Sequence, residues 1–277
     1  MTDQLHTLPT LNEICKAHSW KRDYERYLPI SRFFFRPLGF LFTWVAIRAG
    51  LTTEAVSWLS GIVGIAACLC LVSGYKHMLP VGIGLLLLFN LLDCVDGSIA
   101  RTMKTENPYG RFLDSICGGI IDLTFWAVIG IMVFRHPDLL VWPEPLGYGP
   151  LFWLVIGCVT CFLKILLEFL ENTFDMSLRP DWDKIQTANH DFMPGFPEMG
   201  GIKPNLNDSS INKKMYVLRM INNNIRVRES YYVFLIFAYL ARTIDLLLVV
   251  YLIYYLFFNI LLLVAYTKRG RIIRRLY

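Results

Sequence analysis
The chain contains Asp93-Cys94-Val95-Asp96-Gly97-Ser98-Ile99-Ala100-Arg101, then eight residues, then Gly110-Arg111-Phe112-Leu113-Asp114, with Asp122 a little further on. These residues sit in segments otherwise apolar enough to enter a bilayer. A carboxylate at that depth is costly, and its presence marks a metal, proton or substrate site. Asp93 and Asp96 are three positions apart on one predicted helix, so their carboxylates leave the same face about a turn apart. Asp114 lies on a second helix, entered after Tyr109-Gly110. Two facing helices that offer short, hard oxygen ligands form a cradle for Mg²⁺ or Mn²⁺, which prefer carboxylate and phosphate oxygen to thiolate or imidazole. Cys94 is therefore expected to pack rather than to bind. Gly97 and Ala100 leave a small-residue surface where a ring or sugar can approach the backbone, and Arg101 offers a bidentate donor to a phosphate. The set reads as a metal and phosphate site.

The spacing resembles the signature of the CDP-alcohol phosphatidyltransferases, Asp-x₂-Asp-Gly-x₂-Ala-Arg-x₈-Gly-x₃-Asp-x₃-Asp. Asp93, Asp96, Gly97, Ala100, Arg101, Gly110 and Asp114 meet seven of its eight fixed positions at the correct spacing. The resemblance covers residues 51–134 and extends into the approach segment 36–57, where Leu51-Thr52-Thr53-Glu54 stands at the first-helix start in place of the family's Pro-Asn. It implies transfer of a phosphatidyl or other phospho-alcohol group from a CDP-linked lipid donor, most often CDP-diacylglycerol, to an alcohol-bearing acceptor, with release of CMP. It also implies two divalent ions held by Asp93, Asp96 and Asp114. Gly97, Ala100 and Gly110 would receive the cytidine part, Arg101 would receive a phosphate, and the protein would be a homodimer. The family's acceptors include inositol, glycerol phosphate and serine, and nothing in the sequence selects among them.

The eighth position departs from the pattern: Gly118 replaces the last aspartate, which in the family is assigned as a metal ligand and as the base that deprotonates the acceptor. Asp122 is one turn further along. At ~100° and ~1.5 Å per residue it lies about 40° around and 6 Å along the helix from position 118, close enough to face the same cavity but not a simple substitute. Three readings follow: an acceptor already ionised and in need of no base, a base supplied by Asp122 or another residue through water, or lost turnover. The last defines a competing class, a non-catalytic membrane protein that retains a CDP or metal cavity. A transporter is disfavoured, because the two halves show no repeated broken-helix pattern.

With 277 residues, 55% of them hydrophobic, and a mean hydropathy of +0.45, the chain is expected to be an all-α, polytopic membrane helix bundle. Six segments approach the ~20 residues needed to cross hydrocarbon: 53–74, 78–100, 110–134, 150–170, a shorter 231–241, and 244–266. Residues 1–50 are read as a cytoplasmic N-terminus with an interfacial amphipathic helix, 51–267 as the membrane domain and 268–277 as a basic tail. The polar, charged stretch up to Arg26 has no secretory leader.

Lys and Arg precede the first span and follow the last, so the positive-inside rule predicts cytoplasmic termini and a motif open to the cytoplasm, where nucleotides are available. A bacterial inner membrane is favoured over the endoplasmic reticulum. Residues 31–48 alternate cationic with large apolar side chains, including Phe33, Phe34, Phe35, Leu41 and Trp44. Such a helix suits the plane of the headgroups, or alternatively packs on the bundle. The net charge of +5 fits an anionic leaflet, and no nucleic-acid module is present.

Residues 172–228 break the composition with Pro180, Pro194, Pro197 and Pro204. They are expected to form a cytoplasmic loop over the acceptor pocket, with Asp183, His190 and Asp191 as solvated residues. Elsewhere the expectations are for scaffold. Gly61, Gly64, Gly82, Gly84 and Gly119 are read as helix contacts, and Gly118 either as another or as an enlargement of the pocket. Lys164 and Glu168 should neutralise each other at i,i+4, Asp245 should be interfacial, and the seven cysteines should be packing residues.

Overall fold
The computed structural model describes residues 8–19, 28–178 and 213–274. Among them every regular element is helical, as membrane depth requires of a backbone that must satisfy its own hydrogen bonds. Two short N-terminal helices, α1 (Leu11–Ala17) and α2 (Arg36–Arg48, preceded by a π-helical turn, Ser31–Phe35), lead into α3 (Thr53–Val72), α4 (Met78–Met103), α5 (Pro108–Arg135), α6 (Leu151–Leu178), α7 (Lys213–Arg226), α8 (Arg228–Ala241) and α9 (Ile244–Ile273).

Local chemistry explains the boundaries that matter. Thr52 caps α3 by accepting from the Ala55 N–H at 3.2 Å. Helix α4 stops where Lys104 adopts a left-handed conformation, φ 55°. Asn107 then caps α5 by accepting the Gly110 N–H at 2.7 Å, with Pro108 at the first helical position. This tight reversal folds α5 back beside the aspartates of α4.

Among the described residues five helices are long and apolar enough to cross a membrane: α3, α4, α5, α6 and α9. The predicted sixth span, 231–241, falls in α8, whose 14 residues extend about 21 Å, short of a ~30 Å hydrocarbon core. Val227 breaks the helix on one side, and Arg242 ends it in a left-handed turn on the other. Even so, α8 runs between the two ends of the bundle. Arg228 at its start pairs with Asp93. The turn at its end leads to Asp245, which accepts the N–H groups of Val141 and Trp142, both at 2.9 Å, in the loop beyond α5. Asp245 is fully buried, so it is a loop anchor and not the interfacial residue expected.

The core is aromatic. Trp126 of α5 lies 4.2 Å, centroid to centroid, from Tyr251 of α9, and Phe125 lies 4.9 Å from Tyr231 of α8. Outward faces carry exposed Ile62, Leu69, Phe162, Phe169, Ile253 and Phe257, the surface that lipid would cover. Helix α2 combines both readings of its sequence. Gly39, Thr43, Ala46 and Ile47 are buried, the last two in a satellite cluster with Ile14, Val56, Val95 and Ile99, whereas Leu41 and Val45, and Phe33 in the preceding turn, remain exposed.

Gly61, Gly64 and Gly82 do mark close helix approaches; a Cβ on Gly64 would come within 2.6 Å of Ile121, for example. Gly84 and Gly119 do not, since neither would meet anything within 4 Å. The tightest crossing is between α5 and α6. A Cβ on Gly157 would stand 2.6 Å from Gly130 Cα and 2.8 Å from the Trp126 carbonyl. Both are backbone atoms that cannot yield without parting the helices. Gly157→Ala should therefore destabilise the detergent-solubilised protein by about 1–3 kcal/mol, the scale of core overpacking, while Gly119→Ala should leave the thermal midpoint unchanged. Equal midpoints for the two variants would refute the assignment.

The segment 172–228 is not simply a loop: α6 continues to Leu178, and α7 occupies Lys213–Arg226. Asp183, His190 and Asp191 fall outside the described residues. All seven cysteines are free thiols, with Cys94 and Cys117 buried, as expected of packing residues.

Candidate active site
The reversal between α4 and α5 opens a pocket of about 230 Å³ lined by Asp96, Gly97, Ala100, Arg101, Gly110 and Asp114, with Ser57 of α3 on the opposite wall. Six of the residues singled out by spacing thus share one cavity. Asp96 is 2% exposed, which for a carboxylate requires strong partners. Ser57 Oγ donates to Asp96 Oδ2 at 2.6 Å, and the Gly97 N–H donates to Oδ1. Ser57 carried no motif signal, because a lone serine in an apolar helix is commonplace.

Arg101 is held from a direction the sequence did not reveal. Its Nη2 lies 2.8 Å from His18 Nε2, and Arg36 Nη1 lies 3.4 Å from the same nitrogen. Two guanidiniums carry only donors, so Nε2 must accept and the imidazole is neutral. His18, 2% exposed, thereby couples the N-terminal helices to the pocket. Gly97 has a steric reason to be glycine, since a Cβ there would stand 3.1 Å from both terminal nitrogens of Arg101.

Asp93 does not line this pocket. It is ion-paired with Arg228 of α8, a residue 135 positions away. Gly118 lies beside that pair and not at a helix contact: a Cβ on it would meet Arg228 Nη1 at 3.0 Å and Asp93 Oδ1 at 3.3 Å. One turn on, Asp122 Oδ2 pairs with Lys164 Nζ at 2.5 Å, and the same ammonium donates to the Asp122 carbonyl at 2.6 Å. Lys164 is thus closer to Asp122 than to Glu168, which stands 3.7 Å away. Helix α5 consequently presents three environments on successive turns: Asp114 in the pocket, Gly118 against the ion pair, and Asp122 in a second, polar cavity of about 370 Å³ shared with Lys164, Glu168, Asn223, Arg226 and Tyr255.

Among the described residues no three His, Cys, Asp or Glu side chains are drawn together as a ready-made metal site. Asp96 and Asp114 nevertheless offer hard oxygen donors to one pocket with a guanidinium alongside, a set suited to Mg²⁺ or Mn²⁺ with phosphate. That fit covers one ion, because the third carboxylate, Asp93, is engaged with Arg228.

A family model for CDP-alcohol phosphatidyltransferase matches residues 51–189, from the start of α3 through the whole of α6 and over half of the chain. The chain belongs to the CDP-alcohol phosphatidyltransferase family. No curated protein matches it. The family comprises phosphotransferases that move a phospho-alcohol group from a CDP-alcohol, and its match extends past residue 134, where the motif-based resemblance ended. The spanning helices agree with a membrane protein, and the departure at Gly118 lies inside the matched region.

Proposed function
We propose that this protein transfers a phosphatidyl or related phospho-alcohol group from a CDP-linked lipid to an acceptor, releasing CMP, with Mg²⁺ or Mn²⁺ as cofactor. The observation that carries this reading is the joint placement of Asp96, Asp114 and Arg101 on one pocket at the end of the bundle. A divalent ion bound there would offset the pyrophosphate charge and the charge that develops on the departing CMP. Arg101, braced by His18, would fix a donor phosphate, which leaves the small residues Gly97, Ala100 and Gly110 to admit the cytidine part. Exposed Phe112 and Ile116 on α5 face outward where acyl chains would enter from the bilayer. The acceptor would arrive through the polar cavity at Asp122 and Lys164. Its oxygen would attack phosphorus at the Asp96 and Asp114 pocket as the bond to the CMP oxygen breaks, and its proton would pass through water to the Asp122 carboxylate.

The pocket lies at the end of the bundle where α6 ends. The stacking of Phe174 on Tyr266 at 4.0 Å brings the last turns of α9 to that same end. With the Lys and Arg asymmetry, this supports a cytoplasmic site and cytoplasmic termini. A homodimer follows from family resemblance alone.

The test is release of CMP by purified protein supplied with Mn²⁺, CDP-diacylglycerol and, in turn, inositol, glycerol phosphate and serine. CMP formed with one acceptor and suppressed by chelation is the expected result. Retained CDP binding without CMP from any acceptor would favour the non-catalytic reading, which the ion pair at Gly118 motivates.

A further inference from the structure
The arrangement at position 118 does not suit a site for two metal ions. The volume that a side chain at 118 would need is filled by the guanidinium of Arg228, delivered by α8 from a distant part of the sequence. That guanidinium pairs with Asp93 and lies 5.1 Å above the Phe89 ring. Its charge is fixed, since arginine does not lose its proton in a protein. A Cβ at 118 would press on it at 3.0 Å, so glycine leaves the guanidinium its room and a longer side chain, such as an aspartate, would compete with it for the same space.

Charge balance points the same way. A charge in a half-buried site must be matched nearby. Arg228 neutralises Asp93, which leaves Asp96 and Asp114 as the motif carboxylates that face the pocket, a pair suited to a single divalent ion, with Arg101 left for a phosphate. A second ion beside Asp93 would have to share that carboxylate with the guanidinium and would leave the site with surplus positive charge.

We propose that the site holds one metal ion, because the guanidinium of Arg228 takes up both Asp93 and the space beside Gly118 that a second divalent cation and its ligand would need. The planar fork of arginine suits this role: one nitrogen holds Asp93 while the other lies against Gly118. Lysine, a point charge, would keep the balance but lose the fork. The inference rests on the metal-dependent transfer proposed above.

The test is titration of Mn²⁺ into purified full-length protein in detergent, with free Mn²⁺ followed by electron paramagnetic resonance and heat by calorimetry. The wild type should bind one ion per chain. Arg228→Gln, which frees the Asp93 carboxylate and removes a positive charge from it, should tighten Mn²⁺ binding about tenfold or more. Arg228→Lys should stay close to wild type, and it decides the matter together with the wild-type count if the glutamine variant is not monodisperse. Two ions per wild-type chain would overturn the proposal while leaving the transferase reading intact, as would unchanged or weaker binding in a folded Arg228→Gln. No saturable Mn²⁺ binding at all would overturn the metal-dependent reading and this proposal with it.

Discussion
Asp114→Asn should reduce divalent-dependent CMP release by about 10³-fold or more, the upper scale for removing one preorganised electrostatic contributor to a transition state, while leaving the fold unchanged. The substitution is nearly isosteric, and Asp114 sits on the pocket wall at the start of α5, away from the aromatic core. The loss should therefore register in turnover and Mn²⁺ affinity and not in thermal stability. Asp96 is a poorer probe. Its two oxygens already accept from Ser57 and from the Gly97 N–H, so an asparagine amide would set a donor against a donor and add a folding penalty to any catalytic loss. A fully active Asp114→Asn protein would remove this residue from the site.

Much of the pocket was legible because carboxylates in apolar helices are rare enough for their spacing to carry information. The small residues and Arg101 are close in sequence to those carboxylates, and helix periodicity alone places them together. The partners were not legible, for a common physical reason. Ser57, His18, Lys164 and Arg228 reach their targets across 39, 83, 42 and 135 positions respectively, and no local pattern encodes such meetings. Arg228 left a faint signal as a cation that opens an apolar helix directly after a polar segment. Its meaning depends on Gly118, which by itself reads equally well as a helix contact. The length of the sixth segment was hidden for a related reason. The apolar run in α8 carries the chain between the two ends of the bundle, but Val227 and the left-handed Arg242 hold it to 14 residues, and Tyr231 and Tyr232 are buried in the protein core.

Asp122→Asn should lower the rate about 10²-fold or more with the true acceptor, the scale of lost general-base catalysis, without changing the number of Mn²⁺ ions bound. The position at which the motif resemblance implies a base lacks a carboxylate and has the Arg228 guanidinium against it, so any base for the acceptor acts from the neighbouring cavity. Asp122 lines that cavity. One of its oxygens is held by Lys164 at 2.5 Å, and the other, Oδ1, is buried without a hydrogen-bond partner among the described residues. An unpaired carboxylate oxygen in such a place is costly, and a water donating to it would relieve that cost and could carry the acceptor's proton. Lys164 would act as a positioning residue, fixing the carboxylate through Oδ2 and through the Asp122 carbonyl at 2.6 Å. The asparagine keeps the volume and can still accept from Lys164, but it cannot take a proton. A base role predicts that the acidic limb of the pH–rate profile disappears in Asp122→Asn, a change that loss of a purely structural contact would not produce. A wild-type rate in this variant, with donor and metal saturating, would rule the base out and leave an acceptor that is already ionised.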